Sequence, residues 1–375
     1  MILSLHAMRQ LLQKLLTQPI IKLSDKYSSR PDQKRVFAAL TELQKKILAN
    51  PGKRGLVVPF NIERGKFVVL SDQHKGARDD ADDFALAEKN YLAALDHYNQ
   101  NGFTYINLGD SEELWENLFL TVKHHNKTTF DKEKLFLDRD AFVKIFGNHD
   151  LYWDNDPLAA VSLYQIYGKS INIYEGIILQ TTIKGKPLNI YMTHGHQGDL
   201  QSDGNWFSKW FVSNVWAPVQ SYLKINPNTP ANNDDLKTAH NQMMYEWSAK
   251  QQHTLLITGH THQPVFQSLT HIESLYIQRA RAKKANDVAA INRLEAEITK
   301  RHLKKDSSLN FTGYRPTYFN SGCCCFDDGD ITGIEIADGF IRLIKWEYDK
   351  DKNSVREVLE ERDLEALLNE IETKA

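Results

Sequence analysis

Residues 66–74, KFVVLSDQH, decide the fold of this chain. The segment from Lys66 to Leu70 is short, apolar and rich in β-branched residues, which is typical of a strand buried on both faces. It stops at Ser71, and Asp72 and His74 follow. Residues two apart in an extended segment face the same way. One carboxylate and one imidazole are therefore predicted to bind the same metal ion.

The same design recurs four times further along the chain. In each case a short apolar run ends at a residue that commonly binds metal: 105–108 before Gly109-Asp110, 142–146 before Gly147-Asn148-His149-Asp150, 188–192 before Thr193-His194, and 255–258 before Gly259-His260. The carboxyl ends of strands are where open α/β sheets build their sites. We therefore predict an α/β fold with one polar site at that edge.

Seven of these residues are predicted metal ligands: Asp72, His74, Asp110, Asn148, His194, His260 and His262. A mixed set of oxygen and nitrogen donors without thiolate favours Mn, Fe, Zn or Mg over a structural zinc. Any one of the histidines, taken alone, is more simply explained as a satisfied core residue. Seven such residues, all at strand ends, are hard to explain as packing.

The segments SDQH, GDSEE, GNHD, MTHGH and GHTH, in that order, resemble the calcineurin-like metallophosphoesterases over about residues 66–265. The resemblance implies a four-layer α/β-β/α sandwich with two divalent metal ions. It implies that one ion is bound by Asp72, His74, Asp110 and His262. The second ion would be bound by Asp110, Asn148, His194 and His260.

The resemblance also implies a mechanism, in which a metal-bridging hydroxide attacks phosphorus in line with the leaving group. His149 is then expected to protonate the leaving oxygen or to stabilise the transition state, with Asp150 orienting its ring. Lys75 and Arg78 are candidates to meet a substrate phosphate, with solvated loop charges as the alternative. In the MTHGH segment the ligand is assigned to His194 because it ends the strand, which leaves His196 near the mouth of the site as a third candidate to bind substrate.

The run GDSEELWE departs from the GDxxDRG motif of the Ser/Thr protein phosphatases, because it lacks the arginine. It is more similar to the bacterial diphosphatases and phosphodiesterases, such as the UDP-2,3-diacylglucosamine diphosphatase type. We therefore expect a phosphodiesterase or diphosphatase acting on a phosphorylated small molecule, nucleotide or lipid. The alternatives are a phosphomonoesterase, a DNA nuclease on the same scaffold, and a non-catalytic scaffold. A net charge of −2 argues against nucleic acid as a partner.

The 375 residues divide into three predicted parts. Residues 1–64 form a helical extension, 65–350 the metallophosphoesterase domain, and 351–375 a C-terminal helix. The domain carries insertions at about 199–250 and 272–305. The aromatic residues from Trp206 to Leu223 either line an acyl pocket or pack in a core.

Two further patterns concern location. The N-terminal stretch predicts an amphipathic helix, packed on the domain or in peripheral contact with a membrane. Cys323, Cys324 and Cys325 stand in one run, which is no disulfide framework and lacks the spacing of a zinc site. We expect buried strand thiols and a cytoplasmic protein, with peripheral attachment to the inner face of the membrane as the alternative.

Overall fold

The structure of the protein is a computed structural model that describes residues 32–79, 82–115, 117–198, 234–303 and 315–373. The predicted N-terminal amphipathic helix, Glu116 and the aromatic stretch from Trp206 to Leu223 lie outside the described residues. No helix in the described ranges is both long and apolar enough to cross a bilayer.

Two seven-stranded mixed sheets form the centre of the molecule. Sheet I has the order β1-β6-β7-β8-β11-β9-β10, and sheet II has the order β14-β13-β12-β2-β3-β4-β5. The strands of sheet I are β1 (Gly55–Pro59), β6 (Gly176–Ile183), β7 (Lys186–Thr193), β8 (Thr254–Thr258), β9 (Val265–Phe266), β10 (Leu269–Thr270) and β11 (Tyr318–Asn320). Those of sheet II are β2 (Phe67–Leu70), β3 (Thr104–Leu108), β4 (Phe142–Ile145), β5 (Ile173–Tyr174), β12 (Ile331–Ala337), β13 (Phe340–Tyr348) and β14 (Ser354–Asp363).

Ten helices accompany the two sheets in the described residues. They are α1 (Gln33–Ala49), α2 (Phe84–Gln100), α3 (Phe119–His125), α4 (Lys127–Asp138), α5 (Tyr152–Asn155), α6 (Ala159–Tyr167), α7 (Asp234–Ser248), α8 (His271–Lys284), α9 (Val288–Leu303) and α10 (Leu364–Thr373). Helices α1 and α7 share an apolar cluster with sheet I, and α2 shares one with sheet II.

The apolar runs of the sequence are continuous because the strands are buried on both faces. In β2, Val69 packs between the two sheets, whereas Val68 and Leu70 pack toward α2. The inter-sheet core takes Ile190 and Ile257 from sheet I. The layers are therefore helix, sheet, sheet and helix, and the predicted four-layer sandwich is confirmed.

The five strands that end in candidate ligands are divided between the sheets. β2, β3 and β4 are neighbouring parallel strands of sheet II, and β7 and β8 are neighbouring parallel strands of sheet I. The loops after them are joined across the sheets, since the backbone N–H of His260 donates to the carboxylate of Asp72 at 3.0 Å. The carboxyl ends of both sets therefore meet at one place.

Two segments differ from the predicted organisation. Ser354–Asp363, within the predicted C-terminal helix, is an edge strand antiparallel to β13, and only Leu364–Thr373 is helical. Its apolar residues fit a helical spacing, but Val355 and Val358 are 37% and 40% exposed on the strand. Gly55–Pro59, within the predicted helical extension, pairs with β6 in sheet I.

Two further predictions are refined by the structure. The charged insertion at 272–305 contains two helices, α8 and α9, which share a small apolar cluster that includes Leu275 and Leu294. The run from Cys323 to Cys325 is buried as expected, but it lies in the loop between β11 and β12 and not in a strand. This loop passes beside the carboxyl end of β2, since Cys324 N–H donates to the carbonyl of Asp72 at 3.1 Å.

Candidate metal centre

Five candidate ligands have a left-handed backbone. The φ angles are 53° at Asp72, 49° at His74, 49° at Asp110, 71° at His260 and 54° at His262. Only a few per cent of non-glycine residues adopt positive φ, and such residues cluster at functional sites, where the surrounding structure holds the strain. The backbone itself therefore marks these strand ends as a site.

The glycines of two motifs are explained by close approach to carboxylates. A Cβ atom at Gly147 would collide with the side chain of Asp110, and one at Gly259 would collide with the side chains of Ser71 and Asp72. Any larger residue would push a carboxylate away from the strand ends. The glycine in GNHD and the one in GHTH are thus required by the site's geometry.

The first group of ligand atoms contains Asp72, His74, Asp110 and His262. His262 Nε2 lies 3.3 Å from Asp72 Oδ1 and 3.2 Å from His74 Nε2. His74 Nε2 lies 4.0 Å from Asp72 Oδ1 and 3.9 Å from Asp110 Oδ2. We call this group site 1, the candidate position for one ion.

The second group contains Asp110, Asn148, His194 and His260, and we call it site 2. His194 Nε2 lies 3.1 Å from Asp110 Oδ2 and 3.2 Å from Asn148 Oδ1. A nitrogen of His260 lies within 4.8 Å of ligand atoms of Asp110 and His194. The Nε2 atom of His260 is buried and forms no hydrogen bond with any residue that the structure describes.

The charge and burial of these residues fit divalent metal ions. Asp72 and Asp110 are 0% and 2% exposed, and Asp110 belongs to both sites. Burial by itself lowers the pKa of His74, but Glu113 and Asp110 outweigh it and raise that pKa to about 10. Burial raises the pKa of Asp72 and Asp110, but the neighbouring histidines outweigh it and lower the pKa of each, so both buried carboxylates stay charged and the centre attracts positive charge.

His149 lies beside site 1, and its ring is positioned by two side chains. Its Nδ1 lies 2.7 Å from Glu113 Oε2, and its ring stacks on Trp115 with centroids 4.2 Å apart. Burial lowers the pKa of His149, whereas the charges of Glu113 and Asp110 raise it, and the net shift is upward. The arrangement favours a protonated ring that can donate a proton from Nε2.

Asp150 does not contact the His149 ring, contrary to the orienting role expected from the sequence. Its carboxylate accepts the backbone N–H of Gly147 at 2.5 Å and that of Ser111 at 2.9 Å. Burial, with the charge of Asp110, raises the pKa of Asp150 to about 6. Asp150 thus joins the two loops that carry candidate ligands. The residue that orients the His149 ring, as Asp150 was expected to do, is Glu113.

Glu113 binds two histidines at once. Its Oε2 accepts from His74 Nδ1 at 2.8 Å and from His149 Nδ1 at 2.7 Å. Burial raises the pKa of Glu113, but His149 and His74 outweigh it and lower it to about 2. The carboxylate therefore stays charged and fixes both rings with Nε2 facing away from it.

The three candidate substrate residues lie in different surroundings. Lys75 is fully buried, and its Nζ lies 2.5 Å from Glu133 Oε1 and 3.2 Å from Glu112 Oε1. Arg78 is paired with Glu88 at 2.5 Å. Only His196, with its ring centroid 5.4 Å from that of His194, is placed against the candidate ligands.

Sequence reasoning missed two neighbours of the ligands. His240 of α7 donates from Nε2 to the carbonyl of Gly195 at 2.8 Å, and its ring centroid lies 5.1 Å from that of His260. Cys325 Sγ lies 3.8 Å from His262 Nδ1. Neither residue stands in a motif or at a strand end, so nothing in the local pattern indicates these contacts.

The two facing sheets bring carboxylates, an amide and imidazoles together at their strand ends, in an arrangement that could hold metal ions. The chain belongs to the calcineurin-like phosphoesterase family, whose sequence profile matches residues 65–264. A search of curated proteins gives no significant match.

Among solved structures, the chain is similar to a protein from Staphylococcus aureus, provisionally described as a 5'-nucleotidase and solved in complex with alpha-ketoglutarate. The sequence identity is 11% and the TM-score 0.32, over 82% of this chain and 58% of that chain. The chain thus matches little more than half the length of that protein. A likeness at this level carries no argument about substrate.

Proposed function

We propose that the protein hydrolyses a phosphodiester or a diphosphate, with one divalent ion at site 1 and one at site 2. The observation that carries the proposal is the position of Asp110, whose Oδ2 atom lies 3.1 Å from His194 Nε2 of site 2 and 3.9 Å from His74 Nε2 of site 1. A carboxylate shared in this way supports two ions a few Å apart. Such a pair, when bound, lowers the pKa of a water molecule and neutralises phosphoryl oxygens.

The acid in this proposal is His149. Glu113 accepts its Nδ1–H, so Nε2 is the atom that donates a proton to the leaving oxygen. The stacked ring of Trp115 keeps the imidazole plane fixed and excludes water from one face. A positioned acid of this kind contributes about 10²–10⁴-fold in rate.

The charge around the site favours a phosphodiester over a phosphomonoester. A phosphomonoester carries up to two negative charges on its terminal phosphate, and enzymes that bind it supply cationic side chains. The two cationic side chains nearest the first motif, Lys75 and Arg78, are instead paired with Glu133 and Glu88. A phosphodiester has one negative charge, which two divalent ions already offset.

The substrate class has support from the sequence as well. The run GDSEELWE lacks the arginine of the protein phosphatases and is similar to the bacterial diphosphatases and phosphodiesterases. We therefore propose a nucleotide-linked or lipid-linked small molecule as the substrate. The donor set fits Mn, Fe, Zn or Mg, and Mn²⁺ is the ion with which we would begin.

The test compares the hydrolysis of bis-p-nitrophenyl phosphate with that of p-nitrophenyl phosphate, with and without added Mn²⁺. We expect turnover that requires the ion and favours the diester. Asp110→Ala should lower this turnover by more than about 10²-fold. Loss of a hydrogen-bond partner of a metal ligand already costs up to about 10²-fold, and loss of a ligand should cost more. Asp351→Ala, at an exposed position, is the matched control and should behave as the wild type.

Two results would contradict the proposal. Turnover of the monoester at a higher kcat/KM than the diester would make the protein a phosphomonoesterase. Turnover that survives both chelation of the metal and Asp110→Ala would show that the metal centre takes no part in the reaction.

A further inference from the structure

Two of the site histidines, His74 and His194, each present one ring nitrogen to the ligand cluster and the other to a partner. His74 directs Nδ1 to the carboxylate of Glu113 at 2.8 Å. His194 directs Nδ1 to the backbone carbonyl of Leu108 at 2.9 Å. Metal-binding histidines almost always donate this second N–H, which fixes the tautomer and the orientation of the ring.

His262 follows the same arrangement with an unusual partner. Its Nε2 faces site 1, at 3.3 Å from Asp72 Oδ1. Its Nδ1 faces away from the site and lies 3.8 Å from Cys325 Sγ. A neutral imidazole that offers a lone pair at Nε2 carries its proton at Nδ1, where an acceptor is needed.

The Cys325 sulfur is held in position by the loop that carries it. Cys325 is 8% exposed, so solvent reaches it little. On one side the backbone N–H of Ser321 donates to Thr258 at 2.9 Å, and on the other the N–H of Cys324 donates to Asp72 at 3.1 Å. The same loop is thus fastened to the strand ends of both sheets.

A second observation also connects Cys325 to site 1. One ligand atom from each of His74, His262 and Cys325 lies within 4.8 Å of the other two. The neighbouring thiol of Cys324 is directed elsewhere, with its Sγ 3.9 Å from the carbonyl of Thr332. Of these two adjacent cysteines, therefore, Cys325 is the one whose sulfur is placed against a candidate metal ligand.

We propose that Cys325 is a positioning residue for site 1: its sulfur accepts the Nδ1–H of His262 and so directs Nε2 at the ion. This inference rests on the metal sites of the proposed function. Site 1 thereby depends on the chemical state of a thiol, whereas the partner of His194 at site 2 is a backbone carbonyl. Replacement of the Cys325 thiol should therefore change the affinity of site 1 for its ion and leave the affinity of site 2 unchanged.

The test is titration of the metal-free full chain with Co²⁺, followed by the visible absorption of the bound ion. Cys325→Ala and Cys325→Val remove the acceptor, the second without leaving a cavity. We expect one of the two ions to bind about 10–100-fold more weakly and the other to bind as before. Cys325→Ser, which keeps an acceptor, should restore most of the lost affinity. Cys324→Ala is the matched control and should retain both affinities.

Three results would overturn the inference. The first is wild-type affinity for both ions in Cys325→Ala and Cys325→Val. The second is a thiolate-to-cobalt charge-transfer band in the wild type, because the sulfur would then be a ligand itself. The third is equal loss of affinity in Cys324→Ala.

His262→Ala separates this inference from the proposed function. Loss of one ion in His262→Ala, with no change in the Cys325 variants, would contradict the inference alone. Retention of both ions in His262→Ala would contradict the assignment of site 1, and the inference with it.

Discussion

Glu113 is the residue on which the candidate acid and one candidate ligand both depend. Its Oε2 atom contacts Nδ1 of His74 and Nδ1 of His149, at 2.8 and 2.7 Å. The negative charge of Glu113 contributes to the raised pKa of His149. A change at this one side chain therefore affects both a metal site and a proton donor.

We predict that Glu113→Gln lowers kcat by about 10–100-fold, the usual effect of removing the partner of a metal ligand. An acid works only while it is protonated, so activity falls as the pH rises through the pKa of His149. Without the carboxylate that pKa is lower, and the basic limb of the pH–rate profile should move to lower pH. Glu63→Gln, at an exposed position, is the control.

A pH–rate profile that keeps its basic limb in Glu113→Gln would show that His149 is not the acid. A large loss of kcat without any shift would instead assign Glu113 to the ion at site 1 through His74. The two contacts of Glu113 can therefore be distinguished in one series of measurements.

At the scale of elements, a buried ionic network joins α4 to the loops that carry the ligands. Glu133 of α4 accepts from Lys75 Nζ at 2.5 Å and from the hydroxyl of Tyr167 at 2.6 Å. Glu112 accepts from Lys144 Nζ at 2.9 Å. Lys75 directly follows the candidate ligand His74 in the chain, so this network helps to hold the loop that carries site 1 in place.

We predict that Lys75→Met destabilises the protein by about 3–5 kcal/mol, because it leaves Glu133 buried without its cation. The measurement is urea unfolding followed by circular dichroism. Lys127→Met is the control. Lys127 lies in α4, the helix that carries Glu133; it pairs with Asp131, and its side chain is 78% exposed. That control should unfold at the wild-type urea concentration.

The same variant tests the expectation that Lys75 meets a substrate phosphate. We expect the folded fraction of Lys75→Met to keep the wild-type KM, since the ammonium group faces Glu133 and Glu112. A raised KM with unchanged stability would mean that Lys75 reaches the substrate and that the buried pair does not form.

The apolar strands could be predicted because burial on both faces gives them continuous β-branched runs, as in Phe67–Leu70. Ser354–Asp363 could not, because an edge strand is half exposed and its apolar residues also fit a helix. The grouping of the candidate ligands could be predicted because each follows a strand. The contacts of Cys325 and His240 could not, because they join loops and helices 63 and 45 residues apart in the chain.

At the scale of the whole molecule, the last strand and helix are part of the core. Helix α10 buries Leu364, Leu367, Leu368 and Ile371, each at most 3% exposed, in the core between the sheets. Strand β14 covers the edge of β13. The family profile ends at residue 264, yet the folded unit continues to the last described residues.

We predict that a chain ending at Asn353 does not fold. Each of the four buried side chains of α10 contributes about 1.5–3 kcal/mol, which together approaches the whole stability of a typical domain. The measurement is recovery of soluble protein and its thermal unfolding. In the full chain, Leu368→Ala should cost about 2–5 kcal/mol, whereas Leu158→Ala, at a position 63% exposed, should change little.

A truncated chain that melts cooperatively at the wild-type temperature would contradict this prediction. In that case the rest of the chain would fold without β14 and α10, and these two elements would not be needed for the core.

The left-handed backbone at Asp72, His74, Asp110, His260 and His262 has a consequence over evolutionary time. Under the proposed function, selection for metal binding keeps side chains where glycine is the better choice for the backbone, at a cost of about 1 kcal/mol or more for each. A descendant released from that selection would drift toward glycine at these positions and gain stability as it did so. The loss of catalysis in such a lineage would leave a recognisable record, in the form of glycines where the ligands had been.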